Sequence, residues 1–254
     1  MNDKKIKQRY QEEEYQFPYH YLLDYDDSAI DIVKRYNYGF VHYTITWLIK
    51  RILSQIKPKS LLDVGCGDGK LIYEILNDNN LQVSIKDVIG IDTDNRAIEF
   101  AKIFNSTNNA QFISGDIHQY THEPFDLIIL TEVIEHMDDQ NAAEFLKKIH
   151  SLIASDKHFI ITVPSLNIPL QSKHYKHYDK SSLEALLKDL FIIEKLFYID
   201  STKLYLKAIK QIYMLLDDFK LQRLKKIVFS YYKKKFMLTS EKTCQHIMVL
   251  CRKS

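Results

Sequence analysis

A glycine-rich turn is the segment with the clearest potential to bind a ligand. Positions 61–70 read L-L-D-V-G-C-G-D-G-K, so three glycines alternate with other residues directly after an apolar run. Glycine has no Cβ, and the backbone of such a turn can therefore approach a ligand closely. The helix-forming stretch Leu71–Leu76 follows at once, and the first turn of a helix offers free N–H groups to a carboxylate or phosphate. The segment predicts a buried strand, a ligand-binding turn and the start of a helix.

Acidic residues recur near the ends of apolar runs. Val88–Ile91 is followed by Asp92, and the segment Gln111–Ile117 contains Asp116. A carboxylate at the tip of the second strand of such a fold can accept both hydroxyls of a ribose. The spacing excludes two other nucleotide loops. Alternate glycines do not match the dinucleotide fingerprint, and Lys70 is followed by leucine where a phosphate loop needs Ser or Thr.

A second group combines carboxylates with imidazoles. Glu132, Glu135 and His136 are three and four residues apart, so on a helix they would share one face. Two carboxylates and an imidazole can hold a hard divalent ion, and a histidine can instead act as a general base. A purely structural role is the third interpretation. His174 and His177 follow the fifth predicted strand, in a loop that would reach over the same edge of the sheet.

Alternating strands and helices must position these residues. The predicted strands are Leu61–Val64, Val88–Asp92, Gln111–Ile117, Phe125–Leu130, His158–Val163, Phe191–Tyr198 and Gln245–Cys251. Helices are predicted over 28–57, Leu71–Leu76, Ala142–Ile153 and Ser181–Leu190, and in an insertion over 203–236. The alternation between 60 and 163 indicates a parallel sheet with right-handed crossovers, whose strands end at one ligand-binding edge.

The composition is that of a globular α/β protein. The chain has 254 residues, of which 46% are hydrophobic and 27% charged, enough for one α/β domain with additions. The formal net charge of +2 gives no global field that would attract nucleic acid. No apolar stretch approaches the roughly 18 residues of a membrane span, and the charged N-terminus lacks the apolar core of a signal peptide. Three cysteines without metal-ligand spacing favour a reducing, cytoplasmic compartment.

Two further segments could contact a substrate or partner. Tyr15–Tyr21 and Tyr38–Tyr43 are rich in aromatic rings and predict either a lid that excludes water or rings that pack the first helices onto the sheet. The stretch Lys203–Lys235 has ten Lys or Arg and two Asp, whereas the rest of the chain has 25 basic and 31 acidic residues. This insertion predicts contact with a membrane surface, nucleic acid or an anionic substrate, or else a solvated face over a core stripe or dimer contact. The stripe in question is Leu204, Ala208, Ile212, Leu215 and Phe219.

Taken in order, these motifs resemble those of the class I S-adenosylmethionine-dependent methyltransferases. The matching segments are the glycine turn at 61–70, G-I-D-T-D at 90–94, S-G-D-I at 114–117 and F-D-L-I-I-L-T-E-V-I-E-H-M at 125–137. The resemblance implies a Rossmann-like α/β fold: a mostly parallel seven-stranded sheet with helices on both faces. We expect an aromatic N-terminal lid and helices over 1–57, a cofactor-binding core over 58–200, a basic helical insertion over 201–244, and the last core strand over 245–254.

The resemblance also implies S-adenosyl-L-methionine as the cofactor and gives roles by position. Asp63 and the glycine turn would lie along the methionine part, Asp92 would hold the ribose hydroxyls, and Asp116 would meet the adenine amino group. Two residues, Thr131 and Glu132, would lie under the sulfonium. The full set implied to bind the cofactor is Asp63, Gly65, Cys66, Gly67, Gly69, Asp92, Thr93, Asp116, Ile117, Thr131 and Glu132.

The Glu-x-x-Glu-His run is similar to runs in two groups of this family. Small-RNA 3′-terminal 2′-O-methyltransferases use such residues and a later histidine as metal ligands, and ubiquinone-pathway O-methyltransferases share the run. The aromatic-acid-tryptophan signature of the RNA enzymes is missing here. The similarity implies a Mg or Mn site at Glu132, Glu135, His136 and His174 and, with or without a metal, catalytic roles for Glu135, His136 and His177.

The expected reaction is O-methylation. The H-x-x-H tail at 174–177 and the helical insertion resemble those of methyltransferases from surface-polysaccharide gene sets. This implies, as the acceptor, a hydroxyl or phosphoryl-type oxygen, for example of a phosphoramidate, on a capsule or glycan precursor. RNA 2′-O-methylation, which the basic insertion would serve, and another small-molecule methylation are the alternatives. The intact glycine turn and acids argue against a non-catalytic cofactor-binding module.

Overall fold

A seven-stranded sheet forms the centre of the structure, a computed structural model that describes residues 23–25, 30–32, 36–79, 81, 85–219 and 221–254. The strands are β1 (Leu23–Tyr25), β2 (Ile30–Ile32), β3 (Ser60–Val64), β4 (Asp87–Asp92), β5 (Gln111–Ser114), β6 (Phe125–Thr131), β7 (Ile153–Pro164), β8 (Phe191–Ser201) and β9 (Cys244–Lys253). The helices are α1 (Tyr36–Ile56), α2 (Lys70–Leu76), α3 (Asn95–Phe104), α4 (Asp139–Leu152), α5 (Lys180–Leu187), α6 (Leu204–Asp218) and α7 (Gln222–Lys235). Short 3₁₀ turns lie at Ile134–His136 and Glu241–Thr243.

The order of the strands confirms the predicted Rossmann-like fold. The sheet runs β5-β4-β3-β6-β7-β9-β8, while β1 and β2 form a separate pair. Strands β3 to β7 are parallel, and β9 is antiparallel to both β7 and β8, so the sheet is mixed. Because β9 runs in the opposite direction, its first residues lie beside the last residues of β7, with His246 opposite Pro164. The start of β9 therefore reaches the edge where the parallel strands end.

Alternate residues of the central strands divide between the two faces of the sheet. In β6, Ile128 and Leu130 belong to the apolar cluster that includes α4 and α5, whereas Leu127 and Ile129 belong to the cluster that includes α1, α2 and α3. All four are fully buried. Such continuous burial is typical of a strand with helices on both faces, where successive side chains point in opposite directions.

Two helical predictions are changed by the structure. The segment 28–57, expected to be helical throughout, contains β2 before α1 begins. The insertion over 203–236 is a pair of helices, α6 and α7, and the described part of the chain has no helix long and apolar enough to cross a bilayer. Of the alternatives for the apolar stripe, a core within the described chain is excluded: Leu215 and Phe219 are 54% and 70% accessible, while Leu206 is buried on the opposite face.

Two aromatic residues of α1, Phe40 and Tyr43, pack against the insertion. Phe40 and Tyr43 are buried, and the ring of Phe40 lies 5.3 Å from Tyr213 of α6 and 4.6 Å from Tyr232 of α7, between centroids. Their position therefore differs from both a lid and direct packing on the sheet. The aromatic segment Tyr15–Tyr21 lies outside the described residues, so its expected lid role stays a prediction.

A buried polar network connects the insertion to the ligand-binding edge. Asp200, at the end of β8, accepts hydrogen bonds from Lys210 Nζ at 2.6 Å, Tyr232 Oη at 3.1 Å and Gln245 Nε2 at 2.6 Å. Lys210 and Asp200 are almost completely buried, and loss of one partner of such a pair leaves an uncompensated charge. Gln245 is the second residue of β9 and precedes His246. The network therefore fixes the start of β9 against α6 and α7.

Candidate active site

A cleft of about 540 Å³ opens where the parallel strands end. This volume is in the range of small-molecule and cofactor sites. Its wall is formed by residues after β3, β4, β5 and β6, together with part of α1, the loop after β7 and the start of β9. Of the residues implied to bind the cofactor, the wall includes Asp63, Gly65, Cys66, Asp92, Thr93, Asp116, Ile117, Thr131 and Glu132.

The glycine turn is held in a shape that only glycine accepts readily. Gly65 has φ +74°, and a Cβ on it would lie 2.5 Å from Cγ2 of Val133. Its N–H donates to the carbonyl of Ile91 at 2.8 Å. Gly67 and Gly69 also have left-handed φ values but do not line the cleft, so their expected contact with the cofactor stays a prediction. They shape the turn, since the Gly67 N–H donates to Asp92 Oδ2 at 2.9 Å.

Asp63 is a buried carboxylate that lacks a partner among the described residues. It is 1% exposed, it lines the cleft, and neither of its oxygens accepts a hydrogen bond there. Burial, and then the neighbouring charge of Asp92, raise its pKa to about 7. A buried, unsatisfied carboxylate is costly unless a cation or donor pairs with it. The cationic amino group of S-adenosylmethionine fits this position, so the residues present are suited to that cofactor.

Asp92 and Asp116 keep acceptor capacity for a nucleoside. The Asp92 oxygens accept the backbone N–H groups of Gly67 and Asp94, both at 2.9 Å, and each oxygen retains a further lone pair. Burial raises the pKa of Asp92 above its ordinary value despite these hydrogen bonds. Asp116 Oδ1 accepts the His118 N–H at 2.9 Å. Both carboxylates face the cleft, as a ribose and an adenine would require.

Glu132 does not share a helical face with Glu135 and His136, so that expectation is wrong. It has a left-handed φ of +56° and precedes the 3₁₀ turn. Its Oε1 accepts a hydrogen bond from Thr162 at 2.9 Å, and its Oε2 lies 2.9 Å from Nδ1 of His246. Burial opposes its ionisation, but His246 and these hydrogen bonds lower its pKa below the ordinary value. The structure therefore pairs Glu132 with β7 and β9 rather than with the expected metal ligands.

Three of the four expected ligands do come together. One ligating atom from each of Glu135, His136 and His174 lies within 4.8 Å of the others, and all three residues line the cleft. Glu135 is 1% exposed, and neither of its oxygens has a hydrogen-bond partner among the described residues. Burial and the charge of Glu132 raise its pKa well above the ordinary value. A carboxyl group in this state is suited to a cation or to a shared proton.

Hydrogen bonds fix which nitrogen of each imidazole carries a lone pair. His136 Nδ1 lies 3.2 Å from the carbonyl of Lys173, and because a carbonyl only accepts, Nδ1 carries the proton. The same reasoning protonates Nδ1 of His177, which lies 3.2 Å from the carbonyl of Ile168. His177 Nε2 then accepts from His174 Nδ1 at 2.8 Å. Nε2 is therefore the basic nitrogen of both His136 and His174.

His177 has a different place from the one expected of a catalytic residue. It lies behind His174, does not line the cleft, and uses both ring nitrogens in these hydrogen bonds. Burial lowers the pKa of both His174 and His177, which keeps the two rings neutral. His177 is thus a positioning residue that orients His174, in the way that outer partners orient metal-ligating histidines.

Two residues of the cleft wall, Gln245 and His246, were not identified from the sequence. They precede the apolar run of β9 and belong to no motif. The only signal is the direction of β9: an antiparallel last strand begins at the edge where its parallel neighbours end. His246 supplies the partner of Glu132, and Gln245 connects the wall to Asp200.

Comparisons with known proteins concern the fold and the family of the chain. A family model described as a methyltransferase domain matches residues 57–224. The small RNA 2′-O-methyltransferase of Arabidopsis thaliana is 30% identical over 132 residues, which cover 48% of this chain and 14% of that protein, so the chain spans only a small part of this relative.

Two solved structures show the same fold over nearly the whole chain. The N-methyltransferase NodS of Bradyrhizobium japonicum WM9, in complex with S-adenosyl-L-homocysteine, is 14% identical with a TM-score of 0.63, covering 97% of this chain and 98% of that one. The magnesium protoporphyrin IX methyltransferase of Synechocystis PCC 6803, with bound S-adenosylmethionine, is 15% identical with a TM-score of 0.62, covering 100% and 98%.

Proposed function

Because the chain belongs to the methyltransferase-domain family and is an S-adenosylmethionine-dependent methyltransferase, we propose that it methylates an oxygen atom whose proton is removed beside Glu135, His136 and His174. Transfer from a sulfonium needs the acceptor in line with the methyl–sulfur bond and a group that takes the acceptor's proton. The observation that carries this proposal is the cluster itself. It places two imidazoles beside a buried carboxyl group at the cleft wall.

The cluster also has the donor set of a divalent-metal site. The cluster offers one carboxylate and two imidazole nitrogens, and an outer hydrogen bond holds each imidazole. A general base needs only one such group, whereas a metal ion needs several oriented ligands, so the set favours a metal ion. A divalent ion held by Glu135, His136 and His174 would lower the pKa of an acceptor hydroxyl. Since Glu132 is engaged elsewhere, nitrogen ligands predominate, and the set favours Mn²⁺ or Zn²⁺ over Mg²⁺.

The proposed acceptor is a hydroxyl or phosphoryl-type oxygen on a surface-glycan precursor. The resemblance of the H-x-x-H segment and of the insertion to enzymes of such gene sets supports it. We also keep the proposed division into an N-terminal region over 1–57, a cofactor core over 58–200 completed by 245–254, and an insertion over 201–244. In this division the cofactor residues lie in the core and the basic helices are added to it.

Metal titration tests the proposal without relying on turnover. We expect Mn²⁺ to bind the purified chain with one site by calorimetry, and Glu135→Gln to abolish that binding while S-adenosylmethionine affinity changes less than about twofold. Glu144→Gln, an exposed glutamate of α4, is the matched control and should bind as the wild type does. Full methyl transfer in excess chelator would reject the metal and leave the histidines as the base.

RNA 2′-O-methylation is the second candidate. The sequence similarity to the small RNA 2′-O-methyltransferase and the basic insertion favour it. Methyl transfer to a short RNA with an intact 3′-terminal diol is compared with transfer to the same RNA after periodate cleavage of that diol. This comparison separates RNA methylation from methylation of a glycan precursor. Methylation of the first RNA alone would support this candidate, whereas affinity that is negligible and insensitive to salt would exclude it.

A further inference from the structure

Helix α6 presents apolar side chains on two opposite faces. Leu206 and Tyr213 are buried in the cluster shared with α1 and α7. On the other face, Ile212 and Leu215 are 49% and 54% exposed, and Phe219, directly after the helix, is 70% exposed. A helix packed on a protein core needs only one apolar face, and the polar residues normally face solvent. The second apolar face of α6 is therefore not explained by the packing of the described chain.

Helix α7 repeats this pattern. Phe229 and Tyr232 are fully buried, whereas Leu224, Ile227 and Tyr231 are 49%, 64% and 50% exposed. The three exposed residues are three and four apart, so they form a stripe along the outside of the helix. Contiguous exposed apolar residues of this kind mark an interaction surface.

Basic residues border the stripe of α7. Arg223, Lys226, Lys234 and Lys235 are exposed, and the 3.6-residue repeat places Arg223 and Lys234 on one side of the stripe and Lys235 on the other. The insertion over 203–235 has a net formal charge of +8, while the rest of the chain is net −6. An apolar stripe with Lys and Arg at its borders is the pattern of a helix that lies in the interface of an anionic bilayer.

We propose that the outer face of α6 and α7 docks on the surface of an anionic membrane. Charge complementarity favours this occupant over a second copy of the chain, because self-association through this face would bring two strongly basic surfaces together. The apolar stripe favours lipid over nucleic acid, since phosphate recognition uses the basic residues but leaves the exposed leucine and isoleucine side chains without a partner. The inference holds for any acceptor, so its failure would leave the proposed reaction intact.

Vesicle flotation of the full chain tests the docking. The wild type should float with vesicles that contain phosphatidylglycerol in phosphatidylcholine, float much less with phosphatidylcholine alone, and lose binding as salt is raised. Leu215→Ser with Ile227→Ser should lower the partition coefficient roughly 10- to 100-fold. Ile103→Ser, at a 65% exposed position of α3, is matched to the 64% exposed Ile227 and should not change it.

Charge reversal supplies the second arm. Arg223→Glu with Lys234→Glu should lower binding to the anionic vesicles roughly 10- to 100-fold, whereas Lys147→Glu on the exposed side of α4 should not. Failure of the wild type to bind anionic vesicles would overturn the proposal, as would binding that survives both pairs of substitutions. The proposal would also be overturned if the wild type formed a dimer in sedimentation velocity, or a complex with RNA, and Leu215→Ser with Ile227→Ser abolished it. If that pair fails to fold, Leu224→Ser with Tyr231→Ser replaces it.

Discussion

The two ends of the cleft are built in different ways. At the cofactor end, Asp63, Asp92 and Asp116 lie at the carboxyl ends of neighbouring parallel strands, and the Gly67 N–H of the glycine turn donates to Asp92. At the acceptor end, Glu135 is brought beside His174 from the loop after β7, and Glu132 beside His246 from β9. The first end is an ordered series along the chain, whereas the second depends on contacts between distant segments.

This difference predicts which measured property, rate or affinity, a substitution at each end of the cleft should change. The cofactor end depends on the backbone shape of the glycine turn and on three carboxylates, for which few other residues could substitute. The acceptor end depends on hydrogen-bonded imidazoles. His177 lies behind the cleft, yet its hydrogen bond fixes which nitrogen of His174 carries the proton. Substitutions at the acceptor end should therefore change the rate of transfer, and those at the cofactor end should change affinity.

The largest effect is expected at the acceptor end. His174→Ala should lower kcat about 10²- to 10⁴-fold, the range for loss of a group that assists proton removal, while the Kd for S-adenosylmethionine stays within about twofold. His177→Ala should cost less, about 10- to 100-fold, because it only orients His174. Single-turnover kinetics and calorimetry measure the two quantities separately. Equal losses at both positions would contradict the assignment of His177 as a positioning residue.

Adding one methyl group at Gly65 tests whether the glycine turn packs directly against Val133, next to the acceptor end of the cleft. Gly65→Ala should weaken cofactor binding by about 2–4 kcal/mol, since its Cβ would meet Val133 at 2.5 Å in a left-handed backbone conformation. Val133→Ala in the same background removes the clashing Cγ2 and should recover roughly tenfold in affinity. Calorimetric titration gives both values. The hypothesis fails if the second substitution restores nothing.

The sequence predicts the cofactor end of the cleft better than the acceptor end. The parallel strands and the acids at their ends are predictable from the sequence, because apolar runs and glycines report on local structure. Glu132 was placed on a helix because spacing alone does not show a left-handed φ. His246 was missed because its position depends on the direction of β9. The sequence leaves open whether the stripe through Leu215 is core or interaction surface, since helical spacing shows that a face exists but not which side is covered.

Loss of the ribose carboxylate should have an intermediate effect. Asp92→Ala should weaken S-adenosylmethionine binding by roughly 1–3 kcal/mol, the scale of leaving bonded polar groups unpaired. Asp94→Ala is the matched control, because Asp94 caps α3 and pairs with Arg96 outside the cleft. It should lower the melting temperature without changing the Kd. An unchanged Kd for Asp92→Ala would show that another group holds the ribose.

The smallest effect is a pH dependence that isolates Asp63. Its pKa of about 7 means that the carboxylate is mostly protonated at pH 6 and half ionised at pH 7. Only the ionised form can pair with the cofactor's amino group, so affinity should rise roughly fivefold between these two values. Asp63→Asn should bind more weakly and show a smaller change over the same interval. Calorimetry at both pH values is the measurement.

The stability of the cofactor-free protein should change in the opposite direction. Because the folded-state pKa of Asp63 lies above its unfolded value of 3.8, folding takes up a proton between about pH 4 and 7, and stability is lost as pH rises through that window. Asp63→Asn removes this contribution, so the variant should melt at a higher temperature than the wild type at pH 7 and at a similar one at pH 4. A wild type that binds tighter but melts lower as pH rises would show that the cofactor end keeps an unpaired carboxylate for its ligand. Parallel pH slopes for variant and wild type would assign the titration to another group.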